Sequence, residues 1–367
     1  MPENSKPHRL PLDLDSLQAA LMEAGRPWEH GYTSITALEE TERVIRLGVP
    51  PKPELPAHDE TVAAMAVSAD GFGAPAAFDL RNVGGVSYDT PVKDQGGCGS
   101  CVAFGSAAAM ETVYRFTRRT TTAIDLSEAH LFYCYARAEG RNCGNGWWPD
   151  RALTNARDKG ITFEDYYPYT AGDQNCSNLN ADWPNRLAKV TAFENISGNA
   201  AKMKESISAY GSVTACLNVY QDFFSYRSGV YRHVTGELAG GHCVVLIGYD
   251  DGAGCWIARN SWGSGWGDGG YFRIAYGECG IETFQTCAVY GVTLRAWLPD
   301  QQILGLWSNE SDANVYAYGA QRGWIKLDSG SPVTSHGMLS ELAAAKALGR
   351  PVGMFEDSNS VKQIYAW

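Results

Sequence analysis

Residues 260–272 read NSWGSGWGDGGYF, and the way this stretch sits among its neighbours decides the fold. It joins two strand candidates, GCWIARNSW (254–262) and GGYFRIAY (269–276), and further runs of the same type precede it, SVTACLNV (212–219) and HCVVLIGYDD (242–251). Farther upstream the pattern turns helical, in CVAFGSAAAMETVYRFTRR (101–119), LSEAHLFYCYARAE (126–139) and PDRALTNARDKG (149–160). Helices first and strands afterwards predict an α+β domain of two lobes over 76–298, rather than a parallel α/β sheet.

The chain has 367 residues, 44% of them hydrophobic and 11% aromatic, ample for a large core with appendages. Forty glycines and only 19% charged residues suggest many turns and close backbone approaches. Thirty basic residues stand against 41 acidic ones, a net charge of −11, with no basic cluster beyond short runs such as Arg118-Arg119. That excludes nucleic acid or an anionic membrane as the main partner. No apolar run reaches membrane-spanning length, and residues 1–18 show no apolar leader core. Ten cysteines point instead to an oxidising compartment or secretion. The two signs are reconciled by another export route or a leader removed ahead of this numbering; a cytoplasmic location is the alternative.

Residues 1–75 read as a polar segment with two candidate helices. LDLDSLQAALMEAG carries Leu14, Leu17, Ala20 and Leu21 at helical spacing with Asp15 or Ser16 as cap; SITALEETERVIRLG is capped near Ser34 or Thr36 and closed by Gly48. The Pro-, Ala- and Gly-rich stretch that follows is a linker or an extended segment lying on the main body. Residues 299–367 form a small β-rich module. Its strand candidates are QILGLWSN, NVYAYGA, GWIKLD, PVGMFED and KQIYAW, with the helix MLSELAAAKALG before the fourth. This content fits a small barrel or half-open sheet, OB-like in composition.

Two cysteines, Cys98 and Cys101, stand three apart in QGGCGSC (95–101), which admits a redox dithiol, half a zinc site, or one structural and one reactive thiol. No second C-x-x-C or H-x-x-x-H at finger spacing supports zinc, so no metal is expected. The motif does not follow a strand of a βαβ unit, which disfavours the dithiol. The order Gln95, Cys101, His242, Asn260, with GGHCVVLIGYD (240–250) and NSWGSGWGDGGYF around the last two, resembles the papain-like cysteine peptidases over residues 78–298. LSEAHLFYC, CGNGWWP and YPY followed by Cys176 match further landmarks of that family.

The resemblance implies a papain-like two-lobe fold and an endopeptidase that needs no cofactor. Cys101, at the first turn of a helix whose dipole favours an anion, would be the nucleophile. His242 would hold its proton as imidazolium, a pairing that in papain keeps the cysteine near ~3–4. Asn260 would orient the imidazole and Trp262 shield that hydrogen bond. Gln95 and the Cys101 backbone N–H would form the oxyanion hole. His242 follows Cys101 by 141 residues, inside the papain-type window of ~130–150, and Asn260 by 159, slightly beyond it. One departure is Val102, where the family carries an aromatic residue; altered packing is expected there.

By the same resemblance Cys98 pairs with Cys143 and Cys134 with Cys176. Cys216, Cys243 and Cys255 lie in apolar strand patterns as core thiols, while the pairing of Cys279 and Cys287 stays open. Gly144, Asn145 and Gly146 would pair with an extended polypeptide substrate. Trp147 and Trp148 would line the pocket before the scissile bond, Cys243 would add to its wall and Phe284 close its floor, favouring an aliphatic or aromatic side chain over Arg. Residues 1–75 stand where a propeptide would act as intramolecular inhibitor, with the cleft covered by part of 50–75. The C-terminal module is expected to serve structure or assembly, or to bind a partner or glycan. Two other functions remain: acyl transfer to an amine through the same thioester, and a non-catalytic binding protein on a peptidase scaffold.

Overall fold

The computed structural model describes residues 13–51, 73–311 and 314–366. Helix α1 (Leu14–Glu23) is capped by Asp13, whose carboxylate accepts from the N–H groups of Asp15 and Ser16. The cap therefore precedes the expected Asp15 or Ser16, because those residues already lie in the first turn and donate the free N–H groups that a cap must satisfy. Leu17 and Leu21 are buried. Strand β1 (Trp28–His30) follows, then α2 (Glu40–Val44), all that remains of the helix expected over 34–48. Its start is set by Glu39, whose N–H donates to the Glu42 carboxylate. A local turn in which Thr33 and Thr36 exchange hydrogen bonds occupies the expected cap, and residues 46–49 use their backbone polar groups on the domain below.

Strand β2 (Ala77–Asp79) opens the main body. The helical lobe holds α3 (Cys101–Thr117), a π-helix at His130–Ala136, α4 (Pro149–Asp158) and the short β3 (Ile161–Thr162). Ala-rich and free of proline, α3 suits a helix, and of its 17 residues only Ala108, Arg115 and Thr117 escape full burial. The sheet lobe is built from β4 (Leu187–Asn195), α5 (Ala200–Ala209), β5 (Val213–Tyr220), β6 (Tyr226–Tyr231), β7 (Leu238–Asp250), β8 (Cys255–Arg259), β9 (Tyr271–Ala275) and β10 (Gln285–Gln301). The order β1-β6-β9-β8-β7-β5-β10 carries the N-terminal strand at its edge. Trp28 pairs with Gly229, sits against Tyr226 and Tyr231, and donates its indole N–H to the Arg232 carbonyl at 2.8 Å. Leu17, Leu21, Trp28 and Ile35 thus share one hydrophobic cluster with the sheet lobe.

The C-terminal part contains β11 (Ile303–Ser308), β12 (Val315–Gly319), β13 (Gly323–Leu327), α6 (Pro332–Leu348), β14 (Val352–Asp357) and β15 (Ser360–Ala366), the five strands and one helix expected. Its strands continue the sheet as β10-β14-β15-β13-β12-β11, an open arrangement among the described residues. No linker separates it at 298/299: β10 runs through that point, pairing with β4 and β5 at one end and with β14 at the other. Leu327, Leu342 and Met354 belong to the same core as α3. At the junction Glu356 is fully buried and receives Arg322 through two bonds of 2.8 and 3.0 Å and the Tyr114 hydroxyl at 2.8 Å. Removing one partner of a buried ion pair strands the other charge. Glu356→Ala should therefore lower unfolding stability by about 3–5 kcal/mol, read as a reduced denaturant midpoint.

Candidate active site

Cys101 is the first residue of α3 and fully buried. Backbone N–H groups of Cys243, Gly48 and Val102 reach its sulfur and favour the thiolate, but burial outweighs them, with the Cys243 thiol adding to it, and pushes Cys101 up to about 12. His242 stands on β7, one residue before Cys243, whose backbone N–H reaches the Cys101 sulfur. Its Nε2 meets Asn260 Oδ1 at 2.7 Å, and the same oxygen accepts from the Ser261 N–H at 2.8 Å. The Trp262 ring lies 4.7 Å from the imidazole, centre to centre. Nδ1 is buried and makes no hydrogen bond of normal geometry. Burial lowers His242 to about 4, although Asn260 and the Arg46 carbonyl favour its charged form. The expected thiolate–imidazolium pair is thus disfavoured in this closed arrangement, because excluding water penalises both charges.

Gln95 is also fully buried. Its Nε2 donates to the carbonyls of Cys98 at 2.7 Å and Arg46 at 2.9 Å, and its Oε1 accepts from the Ser261 hydroxyl at 2.7 Å. Ser261 therefore sets which way the amide points. Sequence reasoning passed over it, though it stands inside the NSW of the deciding stretch. Tyr169 adds a second brace, its hydroxyl meeting the Gln95 carbonyl at 2.8 Å and Ser100 Oγ at 2.7 Å.

Residues 46–49 lie across this centre. The Arg46 carbonyl occupies the Gln95 amide, the Gly48 carbonyl accepts from the Trp147 N–H at 2.9 Å, and the Val49 N–H donates to the Gly241 carbonyl at 3.1 Å. Arg46 also pairs with Asp94 at 3.3 Å. The fit at Gly48 leaves no room for a side chain: a Cβ there would lie 2.0 Å from the Gly99 carbonyl oxygen. A Cβ on Gly146 would lie 1.9 Å from the Gly48 oxygen. The residues that meet the site thus precede the expected 50–75, most of which lies outside the described residues.

The pocket residues separate into two groups. Gly146, Phe284 and the Trp147 N–H face the 46–49 segment, Phe284 standing close beside Gly241 where Val49 docks. The Trp147 side chain does not line a pocket; it is fully buried in the helical lobe and donates to Glu139 at 3.0 Å. That carboxylate, itself half-buried, draws the indole N–H inward. Trp148 is half-buried under the Arg141 guanidinium, 3.8 Å from its ring centre. Gly144 and Asn145 are exposed, in a turn held by Asn142, which bonds the N–H of Gly144 through its side chain and the Asn145 side chain through its own N–H. Cys243 turns its sulfur toward Gly105 of α3, whose missing side chain leaves that space, and both residues line a cavity between the lobes.

Disulfides join Cys98 to Cys143 and Cys134 to Cys176, so the nucleophile's loop is tied to the CGNG loop. Cys101, Cys216, Cys243, Cys255, Cys279 and Cys287 are buried and not joined in disulfides. Between the lobes Lys93 meets Glu128 at 2.7 Å and Asp125 at 2.6 Å, and Arg259 meets Asp89 at 3.0 Å. Lys93, Glu128 and Arg259 line a cavity of about 20 Å³, room for about one water. Val102 is fully buried in the core behind Cys101. Among the described residues no cluster of three or more His, Cys, Asp or Glu is placed to hold a metal ion, and no helix is long and apolar enough to cross a membrane.

The family model described as papain family cysteine protease matches residues 74–289. The Cathepsin B-like CP3 of Giardia intestinalis is 37% identical over 223 residues, 57% of this chain and 72% of that protein. Cysteine proteinase 1 of Entamoeba histolytica is 36% identical over 221 residues, 57% and 67% of the two chains. Among solved structures, procathepsin L2 proteinase from Tenebrio molitor larval midgut superposes with a TM-score of 0.63 at 28% identity, over 75% of this chain and 88% of that one. The proCathepsin B S9 from Trypanosoma congolense shares the fold, with a TM-score of 0.63 at 23% identity over 76% and 98% of the two chains. Matched over more than half its length, the chain belongs to the papain family of cysteine proteases and is a cysteine-type peptidase, a hydrolase.

Proposed function

We propose that the protein is a cysteine endopeptidase made in a self-inhibited form. Cys101 attacks the substrate carbonyl and forms a thioester, His242 first takes and then returns the proton, and Asn260 holds the imidazole in line. Gln95 Nε2 and the Cys101 N–H stabilise the oxyanion. The observation that carries this reading is the Arg46 carbonyl held at the Gln95 amide while the Gly48 backbone reaches the Cys101 sulfur. A peptide backbone thus already occupies the place where substrate would react. The procathepsin structures that share this fold are consistent with an N-terminal segment acting on its own peptidase domain.

A peptide blocked at both ends provides the test. Cleavage at an internal bond, with water resolving the thioester even when amine is added, supports the reading; trimming from an end, or amide products alone, overturns it. Gln95→Ala should lower kcat by about 10²–10³ while thiol labelling persists. If labelling fell equally, Gln95 would serve the dyad rather than the oxyanion.

The pH dependence follows from the covered dyad. A thiol raised to about 12 stays protonated across the neutral range, and an imidazole lowered to about 4 stays neutral above that value. Alkylation of Cys101 in the full chain should therefore rise about tenfold per pH unit through neutrality. Once uncovered, the dyad regains solvent and its ion pair, and alkylation should become nearly flat between about pH 5 and 8. A flat profile in the full chain would show that the cover does not suppress the thiolate.

We also assign the C-terminal module a structural role, supported by its shared core and by the Tyr114–Glu356–Arg322 contact with α3. Its outer face carries half-exposed Trp307 and Trp324, each beside a tyrosine, where a partner or glycan could be sought.

A further inference from the structure

Peptide hydrolysis needs one thiol, yet two more are buried next to it in a row. Cys243 follows His242 on β7, and Cys216 faces it directly across the antiparallel β5–β7 ladder. Directly opposed residues of such a pair have Cα atoms ~4.5–5.5 Å apart, inside the ~4.4–6.8 Å that a disulfide spans. Their side chains project from one face of the sheet, and that face packs under α3. A Cβ added to Gly105, one helical turn after Cys101, would lie 2.9 Å from Cys243 Sγ. The Cys243 sulfur thus sits beneath the first turn of the helix that carries the nucleophile. The Cys243 backbone reaches the Cys101 sulfur, and its thiol is hydrogen-bonded with Cys216. All three residues are buried from solvent thiols.

We propose that Cys243 and Cys216 form a resolving relay that rescues Cys101 after oxidation by a hydroperoxide. The Cys101 thiolate attacks the peroxide, the O–O bond breaks, and a sulfenic acid forms while the departing alkoxide takes a proton and leaves as alcohol. Cys243 attacks the sulfenic sulfur; the hydroxyl group leaves with the thiol's proton as water, and a Cys101–Cys243 disulfide forms. Cys216 then attacks the Cys243 sulfur, giving up its proton to the departing Cys101. One hydroperoxide and two thiols become alcohol, water and a Cys216–Cys243 disulfide, and the nucleophile is restored. Without a resolving thiol in reach, a sulfenic acid proceeds to the irreversible sulfinic acid. The relay rests on Cys101 as the reactive thiol, but its test reads mass rather than turnover, so failure of the endopeptidase reading is seen separately.

The full chain, with its two structural disulfides intact, is incubated overnight with about one equivalent of hydrogen peroxide at about pH 9, where the covered Cys101 thiol ionises often enough to react, then unfolded in denaturant containing N-ethylmaleimide and mapped by mass spectrometry. The expected product has lost about 2 Da in a bridge linking Cys243 to Cys216 or to Cys101, and dithiothreitol returns Cys101 to alkylation. In Cys216→Ala the bridge should remain at Cys101–Cys243. In Cys243→Ala no bridge should form and Cys101 should instead carry the oxygen, gaining about 16 Da as the sulfenic acid and, with a second equivalent of peroxide, about 32 Da with no return of alkylation. Wild-type protein carrying sulfinic Cys101 beside free Cys243 and Cys216, or keeping all three thiols free to alkylate, would overturn the relay.

Discussion

Replacing Cys101 by Ala, or His242 by Ala, should lower kcat by on the order of 10⁶, with either single change costing about as much as both together. In the proposed mechanism the two side chains act as one unit: the thiol has no strong nucleophilicity without a base, and the imidazole has nothing to activate without the thiol. Both sit at fixed points of rigid elements, the start of α3 and the interior of β7. Truncation should therefore leave the fold intact, checked by near-UV circular dichroism from the buried Trp147, Trp256, Trp262 and Trp266. A Cys101→Ala protein that retained more than about 10⁻³ of the turnover would place the chemistry elsewhere.

Gly48→Val in the full chain should raise the rate of Cys101 labelling by about 100-fold. The contact at Gly48 is backbone against backbone, with Gly99 on one side and Gly146 on the other, so no flexible side chain can yield. Overpacking of this kind costs about 1–3 kcal/mol, and the upper end corresponds to about two decades in the open population. The rest of the N-terminal segment, anchored by Trp28, Leu17 and Leu21 in the sheet lobe, should stay docked. Arg46→Ala, which keeps the backbone carbonyl on Gln95 and removes a buried side chain paired with the half-exposed Asp94, should change labelling by less than about fivefold. The contrast distinguishes a steric cover from an electrostatic one.

The candidate site was legible in the sequence because its chemistry resides in short motifs with rigid local geometry. Cys101 opens an Ala-rich helix, His242 enters a strand, and Asn260 and Trp262 are two residues apart in one turn. Elements whose state depends on distant partners were not legible. Arg46, Leu47 and Gly48 continue a helical pattern locally, but the backbone groups of Arg46, Gly48 and Val49 find Gln95, Trp147 and Gly241 instead. Trp147 stands in a pocket motif, yet Glu139, eight residues earlier, draws its indole into the core. The sequence places a domain end at 298, but one continuous strand crosses that point. A 17-residue strand such as β10 carries no turn signal where its partners change from β4 to β14.

The most direct test of a peptidase closed by its own N-terminal segment is the second-order rate of Cys101 labelling by a peptidyl epoxide near neutral pH. It is measured on the full chain and on a chain beginning at Ala77, each first shown to be folded. The shorter chain should label stoichiometrically and at least about 100-fold faster, the margin set by some 3 kcal/mol of cover. Equal rates in the two would contradict the account.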